Sequence, residues 1–263
     1  MNKTKKRPFL QVHLVEHCNL NCKGCAHFSP IAKPHVISLE KLEKTYRLLM
    51  PYLGEWFCRL ELMGGEPLLH DQLEEILFLT RRYYPDLEVR LVTNGLNLLG
   101  MQHSFYETCV TNNIIICVSA YPINLDYDKM KRMFAVFGIQ YKIYGEYKDT
   151  RSFISYKLNC RGMSDPVESF SNCKYSGHCV QVKNDKIYPC FISAYAQHLN
   201  DYFGLDFQWS SEDYLSLRDD LGKEDLERLI YNPVPFCRYC NMKKQETFEW
   251  EISCKSIDEW ISS

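Results

Sequence analysis

The sequence lacks the features of a membrane, nucleic-acid-binding or disordered protein. No apolar stretch approaches the roughly 20 residues that a membrane span needs. The 31 lysines and arginines are offset by 33 aspartates and glutamates, so the formal charge is only −2. This balance argues against nucleic acid as the main partner, because binding to phosphates favours an excess of basic residues. We therefore expect neither a membrane partner nor a nucleic-acid partner, and a chain long enough to bury a large core.

A secretory signal is also missing. The chain begins with a basic stretch at residues 3–7, but the apolar stretch that follows, 9–15, is short and contains Gln11 and His13. It has neither the apolar core nor the small-residue cleavage site of a signal peptide. We therefore predict a cytoplasmic protein, a setting in which thiols stay reduced.

Cysteine, in contrast, is abundant, with 13 among 263 residues. An odd number in a chain without a visible signal makes a disulfide framework a poor interpretation, whereas clustered thiols in a reducing compartment usually bind metal. Three cysteines stand alone among apolar residues and are interpreted as buried small side chains: Cys58, Cys109 and Cys117. Two groups remain, Cys18, Cys22 and Cys25 near one end and Cys173, Cys179, Cys190, Cys237 and Cys240 near the other, with Cys160 and Cys254 ambiguous.

The first 145 residues alternate between strand and helix patterns. Strands are predicted over 9–15, 59–63, 87–92, 114–119 and 139–144, and helices over 39–49, 71–83, 104–112 and 127–137. The helix ends are predicted from a cap at Ser38, a capping box at Asp71 and Glu74, a cap at Asp126 and a closing Gly138. This alternation is typical of a parallel sheet, either a barrel or an open twisted sheet, in which ligands bind where strands end. The cysteine loop, residues 64–67, Asn94 and Ser119 all follow such strand ends.

The pattern changes after about residue 150. Residues 180–183 and 186–189 flank Asn184 and Asp185 and predict a β-hairpin. A helix is predicted over 211–231. We expect this second region to pack on the first.

The N-terminal cysteines have three and then two residues between them. Three thiolates on one short loop can hold three corners of a [4Fe–4S] cluster and leave one iron open. A zinc site is the alternative and needs a fourth ligand. Four histidines are available for it: His13, His17, His27 and His35. That alternative leaves the Gly-Gly-Glu-Pro sequence at 64–67 unexplained.

With CxxxCxxC at 18–25 and Gly-Gly-Glu-Pro at the end of the next strand, residues 9–145 resemble the radical S-adenosylmethionine (radical SAM) superfamily. The resemblance implies a partial (β/α) TIM-like barrel. It also implies that the open iron binds S-adenosylmethionine, which is cleaved reductively to a 5′-deoxyadenosyl radical that abstracts hydrogen from a substrate. The implied cofactor-binding residues are Gly64, Gly65, Glu66, Asn94 and Ser119, with Tyr121 as a further candidate. Glu66 would either hold its strand end or accept a hydrogen bond from the ammonium of the cofactor.

One position departs from the family pattern. Many members place an aromatic residue just before the third cysteine, near the adenine, and this chain has Gly24 there. His27 or Phe28 is the candidate substitute.

The C-terminal cysteines resemble the twitch or SPASM extension of the same superfamily. The expected ligands of an auxiliary [4Fe–4S] cluster are Cys173, Cys190, Cys237 and Cys240, with Cys179 as the alternative to Cys173. Asp185 stands where the extension usually has glycine. A structural zinc site is the other interpretation of this group. The implied division is a partial barrel over 8–155 and a small β-hairpin and helix domain for the auxiliary cluster over 156–263.

The resemblance implies an enzyme of the oxidoreductase or epimerase type. Members with one auxiliary cluster act on small carbinols, and segment 17–30 is similar to a subgroup associated with polysaccharide genes, so we expect a carbohydrate or aminocyclitol substrate. In epimerisation, Cys179 or Cys160 is a candidate hydrogen donor, and Cys179 is taken as the catalytic residue. The resemblance also implies an external one-electron reductant such as flavodoxin or ferredoxin. The alternatives are a peptide-modifying maturase and a non-catalytic iron–sulfur electron carrier.

Overall fold

The structure is a computed structural model of the 263-residue chain. It describes residues 7–52, 54–145, 152–155, 157–218, 220–242 and 246–262.

The N-terminal half is an alternating strand and helix array. Its strands are β1 (Phe9–Val15), β2 (Arg59–Gly64), β3 (Glu88–Thr93), β4 (Ile114–Ser119) and β5 (Tyr141–Tyr144). Its helices are α1 (Leu39–Leu49), α2 (Leu73–Tyr83), α3 (His103–Thr111) and α4 (Tyr127–Phe137). Each of the five strands pairs in parallel with the next, which places all their carboxyl ends at one edge. The parallel α/β fold expected from the sequence is confirmed.

The C-terminal half continues the same sheet. It contributes β6 (Ser152–Ser155), α5 (Pro166–Asn172), β7 (Cys179–Lys183), β8 (Lys186–Tyr188), α6 (Phe191–Tyr195), α7 (Gln197–Phe203), β9 (Leu215–Ser216), α8 (Lys223–Tyr231) and β10 (Glu246–Glu249). The sheet order is β5-β4-β3-β2-β1-β7-β8-β9. Strand β7 is parallel to β1, whereas β8 and β9 are antiparallel to their neighbours. The division at residue 155 stays a prediction, since this sheet runs through both halves.

The side chains of β1 alternate between the two faces of the sheet, so each face carries a different kind of residue. In β1, Leu10, Val12 and Leu14 are buried with the hydrophobic core, and α1 and α2 cover that side with their apolar faces. Gln11 and His13 point the other way because successive strand residues face opposite sides. The side of β1 that faces away from the apolar core therefore carries polar groups.

Local signals predicted several elements correctly. Ser38 caps α1 by accepting a hydrogen bond from the Lys41 amide, and Asp126 caps α4, which Gly138 closes with a left-handed backbone. The hairpin between β7 and β8 turns through Asn184 and Asp185, whose φ angles are 51° and 57°. Two consecutive left-handed residues are what the tight hairpin turn requires, and Asn and Asp tolerate them.

Three local predictions were wrong. Cys58 was expected to be buried and is exposed, whereas Cys109 and Cys117 are buried as expected. No side-chain cap opens α2, which starts at Leu73 after Gln72, so the capping box at Asp71 and Glu74 does not form. The helix predicted over 211–231 begins only at Lys223, because Leu215 and Ser216 pair with β8 instead. Tertiary pairing overrides propensity there.

A second, two-stranded sheet lies apart from the main one. It consists of β6 and β10 in antiparallel register, with Phe153 opposite Phe248. After β10 the chain runs back along the N-terminal cysteine loop, where Ile252 pairs with Cys22, and then reaches Leu158. Among the described helices, none combines the length and apolarity needed to cross a bilayer.

Candidate iron–sulfur and cofactor site

The N-terminal cysteines open into a cavity of about 220 Å³ at the carboxyl ends of β1 to β4. Of the residues expected at the site, seven line this cavity: Cys18, Cys22, Cys25, Gly64, Gly65, Asn94 and Ser119. Tyr121 and His27 line it as well. Four chain segments that are distant in sequence therefore meet in one place, as expected for strand ends of a parallel sheet.

The chemistry of these thiols fits a cationic metal cluster. Burial raises the pKa of Cys22 to about 12, and burial also raises the pKa of Cys18 and of Cys25. Three neighbouring thiols are difficult to ionise together unless a cation compensates the charge, and metal binding does so. Over the described residues, no three His, Cys, Asp or Glu side chains converge closely enough to hold a single metal ion.

The two glycines of the Gly-Gly-Glu-Pro motif allow a close backbone approach. Gly64 has φ +149°, and a Cβ on Gly65 would lie 2.0 Å from the carbonyl oxygen of His17. The Gly65 amide donates to the Val15 carbonyl at 2.7 Å, and the Glu66 amide donates to the His17 carbonyl at 3.1 Å. The motif therefore joins the end of β2 to the start of the cysteine loop, since only glycine fits the gap.

Glu66 holds the strand ends together from a fully buried position. Its carboxylate accepts hydrogen bonds from the Leu68 amide at 3.0 Å, the Thr93 hydroxyl at 2.6 Å and the Asn94 amide at 2.8 Å. Burial raises the pKa of Glu66, and these hydrogen bonds oppose the rise. Of the two roles expected for Glu66, these contacts match the one at the strand end. It does not line the cavity among the described residues.

Asn94 connects that carboxylate to the cysteine loop. Its side-chain amide donates to the Asn19 side-chain oxygen at 2.8 Å and lies 3.6 Å from the Cys18 sulfur. The end of β3 thereby orients the first cysteine.

The C-terminal cysteines line a second cavity, which is largely apolar. Cys173, Cys190, Cys237 and Cys240 all border it. Its apolar walls include Phe170, Tyr175, Phe191, Ile192, Val234 and Met242. Burial raises the pKa of Cys237 to about 12 and also raises that of Cys190 and Cys240. Four thiols around one largely apolar space would again need a compensating cation when they ionise, and an iron–sulfur cluster would supply it.

Cys179, the alternative fourth ligand, lies elsewhere. It starts β7 and is only 2% exposed, and its sulfur donates to the Gln11 side-chain oxygen at 3.3 Å. It is absent from the described lining of either cysteine cavity. Hydrogen bonding inside the sheet occupies this thiol, so Cys173 is the better candidate.

Comparisons with known proteins agree with this geometry. A family profile described as a 4Fe-4S single cluster domain matches residues 8–135. GTP 3′,8-cyclase of Sulfurovum sp. (strain NBC37-1) is 30% identical over 90 residues, which cover 33% of this chain and 27% of that protein. A probable GTP 3′,8-cyclase of Pyrococcus abyssi is 29% identical over 159 residues, 59% of this chain and 49% of that one. The match thus spans half or less of each of these relatives.

The solved structures show the same fold over a larger part of the chain. BtrN in complex with AdoMet and 2-DOIA has a TM-score of 0.54 and 16% identity, covering 90% of this chain and 94% of BtrN. Histidine-tagged anSMEcpe with bound AdoMet has a TM-score of 0.51 and 16% identity, covering 84% and 80%. The family profile, these relatives and the shared fold support membership of the radical SAM superfamily. The cofactors expected for the N-terminal site, a [4Fe–4S] cluster and S-adenosylmethionine, are those of this superfamily.

The departure from the radical SAM pattern at Gly24 has a structural reason. Gly24 has φ +60°, and a Cβ there would lie 3.3 Å from the Phe248 ring. The space beside the third cysteine is therefore taken by an aromatic side chain from β10. Of the two candidates named from sequence, His27 lines the cavity, whereas Phe28 is 1% exposed and packs in the core.

Sequence reasoning missed the C-terminal contributors to this radical SAM site. Glu259 accepts a hydrogen bond from the Gly24 amide at 3.1 Å, and the Trp260 indole donates to the Cys25 carbonyl at 2.9 Å. Both residues lie 235 positions from their partners. The capping box at Ser256 and Glu259 indicates the start of a helical turn and carries no information about the cysteine loop. No local signal could have identified them.

Proposed function

We propose that this radical SAM enzyme cleaves S-adenosylmethionine at the N-terminal cavity and oxidises a small hydroxylated substrate, a carbohydrate or an aminocyclitol. A second [4Fe–4S] cluster in the C-terminal cavity takes part as the electron acceptor. One observation carries the proposal: three thiols line one cavity and four line the other. Three protein ligands leave a position for an exchangeable ligand, whereas four complete the cluster.

The residues of the N-terminal cavity bind the cofactors, orient them and exclude water. When bound, the reduced cluster supplies the electron that cleaves the sulfonium bond of S-adenosylmethionine. Cys18, Cys22 and Cys25 would hold that cluster. Met63 and Val92 line the same cavity with apolar surface, and such surface limits the access of water to a reactive species.

The C-terminal cavity has the properties of a site for electron transfer. Oxidation of a carbinol to a ketone removes one hydrogen atom, one proton and one further electron. The hydrogen atom leaves with the deoxyadenosyl radical, and the last electron needs an acceptor. The second cavity adjoins the first through α6: Phe191 lines the C-terminal cavity and its ring lies 5.0 Å from that of His27, which lines the N-terminal one. This proximity supports transfer from substrate to the second site.

Epimerisation is less well supported because it needs a hydrogen donor beside the substrate. Burial raises the pKa of Cys179 well above its usual value, so the thiol keeps its hydrogen. Its thiol, however, donates a hydrogen bond to the Gln11 side chain inside the sheet, and Cys179 lies outside both cavity linings. The role of Cys179 as catalytic donor therefore stays a prediction, and we favour oxidation.

The test starts from anaerobically reconstituted protein with S-adenosylmethionine and dithionite. We expect 5′-deoxyadenosine, two clusters per chain, and iron without stoichiometric zinc. A purely electron-carrying protein would bind clusters and form no 5′-deoxyadenosine, and that outcome would overturn the proposed reaction.

The reaction type follows from isotope tracing with a panel of deuterated sugars and aminocyclitols. Oxidation transfers substrate deuterium into 5′-deoxyadenosine and yields a product lighter by two hydrogens. Uptake of solvent deuterium into an isomer would indicate epimerisation instead. A product found only with peptides would identify the protein as a peptide-modifying maturase and contradict the small-molecule substrate.

A further inference from the structure

The last described residues of the chain cover the outer side of the N-terminal cysteine loop. We define residues 250–262 as the C-terminal strap. The Lys23 amide donates to the Glu251 carbonyl at 2.9 Å, and the Ser253 amide donates to the Asn21 carbonyl at 2.8 Å. Cys22 and Ile252 thus face each other as an antiparallel pair. Cys22 therefore lies between two backbone hydrogen bonds that join its loop to the strap.

The next turn of the loop depends on two buried side chains of the strap. Glu259 is 5% exposed and Trp260 is 1% exposed. One oxygen of Glu259 accepts from the Gly24 amide at 3.1 Å and from the Ser253 hydroxyl at 2.7 Å. The Trp260 indole donates to the Cys25 carbonyl at 2.9 Å.

The loop needs these partners because it forms little regular structure of its own. Asn21 and Gly24 have positive φ angles of 52° and 60°, so the chain between the cysteines turns too sharply for a helix or a strand. Buried backbone groups left without a partner each cost free energy. The strap satisfies the Asn21 carbonyl and the Lys23 and Gly24 amides. It also gives the Cys25 carbonyl a second donor, beside the Phe28 amide at 3.0 Å.

The strap is itself anchored to the C-terminal cysteine region through one residue. Leu158, which is fully buried, donates to the Trp260 carbonyl at 2.7 Å and accepts from the Ser262 amide at 2.8 Å. Leu158 also forms an antiparallel bridge with Cys240. The strap is therefore held by the region that carries the second cysteine cavity.

We propose that the C-terminal strap shapes the N-terminal cluster site, and that Glu259 and Trp260 are positioning residues that hold the loop with its three thiols facing one cavity. This inference rests on the proposed function in that it takes Cys18, Cys22 and Cys25 as cluster ligands. It goes further because it assigns a role to side chains outside the cysteine motif and outside the cavity lining.

The test uses the reconstituted full chain and reads the two sites separately. The electron paramagnetic resonance signal of a cluster with an open iron changes when S-adenosylmethionine is added, whereas that of a cluster with four protein ligands does not. We compare Glu259→Ala, Glu259→Gln and Trp260→Phe with wild type. The control is Glu251→Gln, which removes the exposed ion pair with Lys23 and leaves the backbone ladder intact.

Glu259→Ala should lower the S-adenosylmethionine-responsive signal per chain at least about tenfold, the scale of losses when a ligand's supporting hydrogen bond is removed. Glu259→Gln should recover part of it, since the amide oxygen still accepts from Gly24, and Trp260→Phe should lower it less than Glu259→Ala. The unresponsive signal should stay close to wild type even though the melting temperature of the cluster-free Glu259→Ala protein falls by a few degrees, and Glu251→Gln should match wild type throughout.

Two results would overturn the role of the strap. The first is a full responsive signal in both Glu259→Ala and Trp260→Phe. The second is an equal loss of both signals, which would mean general destabilisation. Failure of the proposed function looks different, because wild-type protein itself would then give no responsive signal.

Discussion

The two cysteine sites of this chain differ in how the sequence encodes them. The N-terminal thiols come from one loop, residues 18–25, and the spacing alone brings them together. The C-terminal four come from separate elements: Cys173 follows α5, Cys190 begins α6, and Cys237 and Cys240 lie in the turn after α8. The spacing alone identifies a local site, whereas the members of the assembled site were named from a family resemblance and only the fold brings them to one cavity.

The cavities differ in lining as well as in origin. Thr93, Asn94 and Ser119 give the N-terminal cavity hydrogen-bonding groups. The C-terminal cavity has mainly aromatic and aliphatic walls. Polar groups beside an incomplete set of ligands suit the binding of a small molecule, and an apolar space with four thiols suits a permanently bound cluster.

The largest expected effect separates the sites by their chemistry. Replacing Cys22 with Ala should lower 5′-deoxyadenosine formation by more than about 100-fold, because even residues that only support a metal ligand are worth roughly 10- to 100-fold. Liquid chromatography of the anaerobic reaction measures it. A Cys22→Ala protein that still cleaves S-adenosylmethionine would contradict the assignment of the N-terminal site.

The corresponding substitution in the C-terminal site should not prevent cleavage of S-adenosylmethionine. Cys240→Ala should about halve the iron content of reconstituted protein, since one of two four-iron clusters is lost. Formation of 5′-deoxyadenosine without substrate should continue, while the oxidised product disappears. Iron content and products are measured on the same sample. Loss of both cleavage and product formation would mean that the two sites do not act separately.

Two further substitutions test which cysteine is the fourth ligand of the C-terminal site. Cys173→Ala should reduce iron as Cys240→Ala does, because Cys173 lines the cavity. Cys179→Ala should keep the iron and cost only about 1 kcal/mol of stability, since a small buried group is removed from the sheet. The opposite pattern of iron content would make Cys179 the ligand.

The smallest expected effect concerns the backbone under the N-terminal site. Gly65→Ala should destabilise the protein by about 1–3 kcal/mol, the usual range for overpacking, because the new Cβ meets the His17 carbonyl. Thermal unfolding of cluster-free protein measures it. Gly100→Ala is the control, since a Cβ there meets nothing within 4 Å, and it should change stability by less than about 0.5 kcal/mol. Equal melting temperatures for the two variants would refute the close-approach role.

Prediction from sequence was most accurate where the signal is local. Helix α1 and strand β4 have the predicted bounds, because a cap or a run of β-branched residues is read from adjacent positions. It failed at residues 211–222, where pairing of Leu215 with Ile187 decides the structure. The same limit applies to the site, since Glu66 was found from its motif and Phe248 was not.

The amino-acid order by itself indicated the superfamily and predicted the parallel α/β fold and the three-thiol loop, because each depends on residues close together in the chain. Only the tertiary structure decided that Cys173 rather than Cys179 shares a cavity with the other C-terminal cysteines, and that Glu259 and Trp260 contact the loop that contains Cys22. Those contacts join positions up to 235 residues apart. They arise when strands pair and side chains pack, and no spacing within a short segment encodes them.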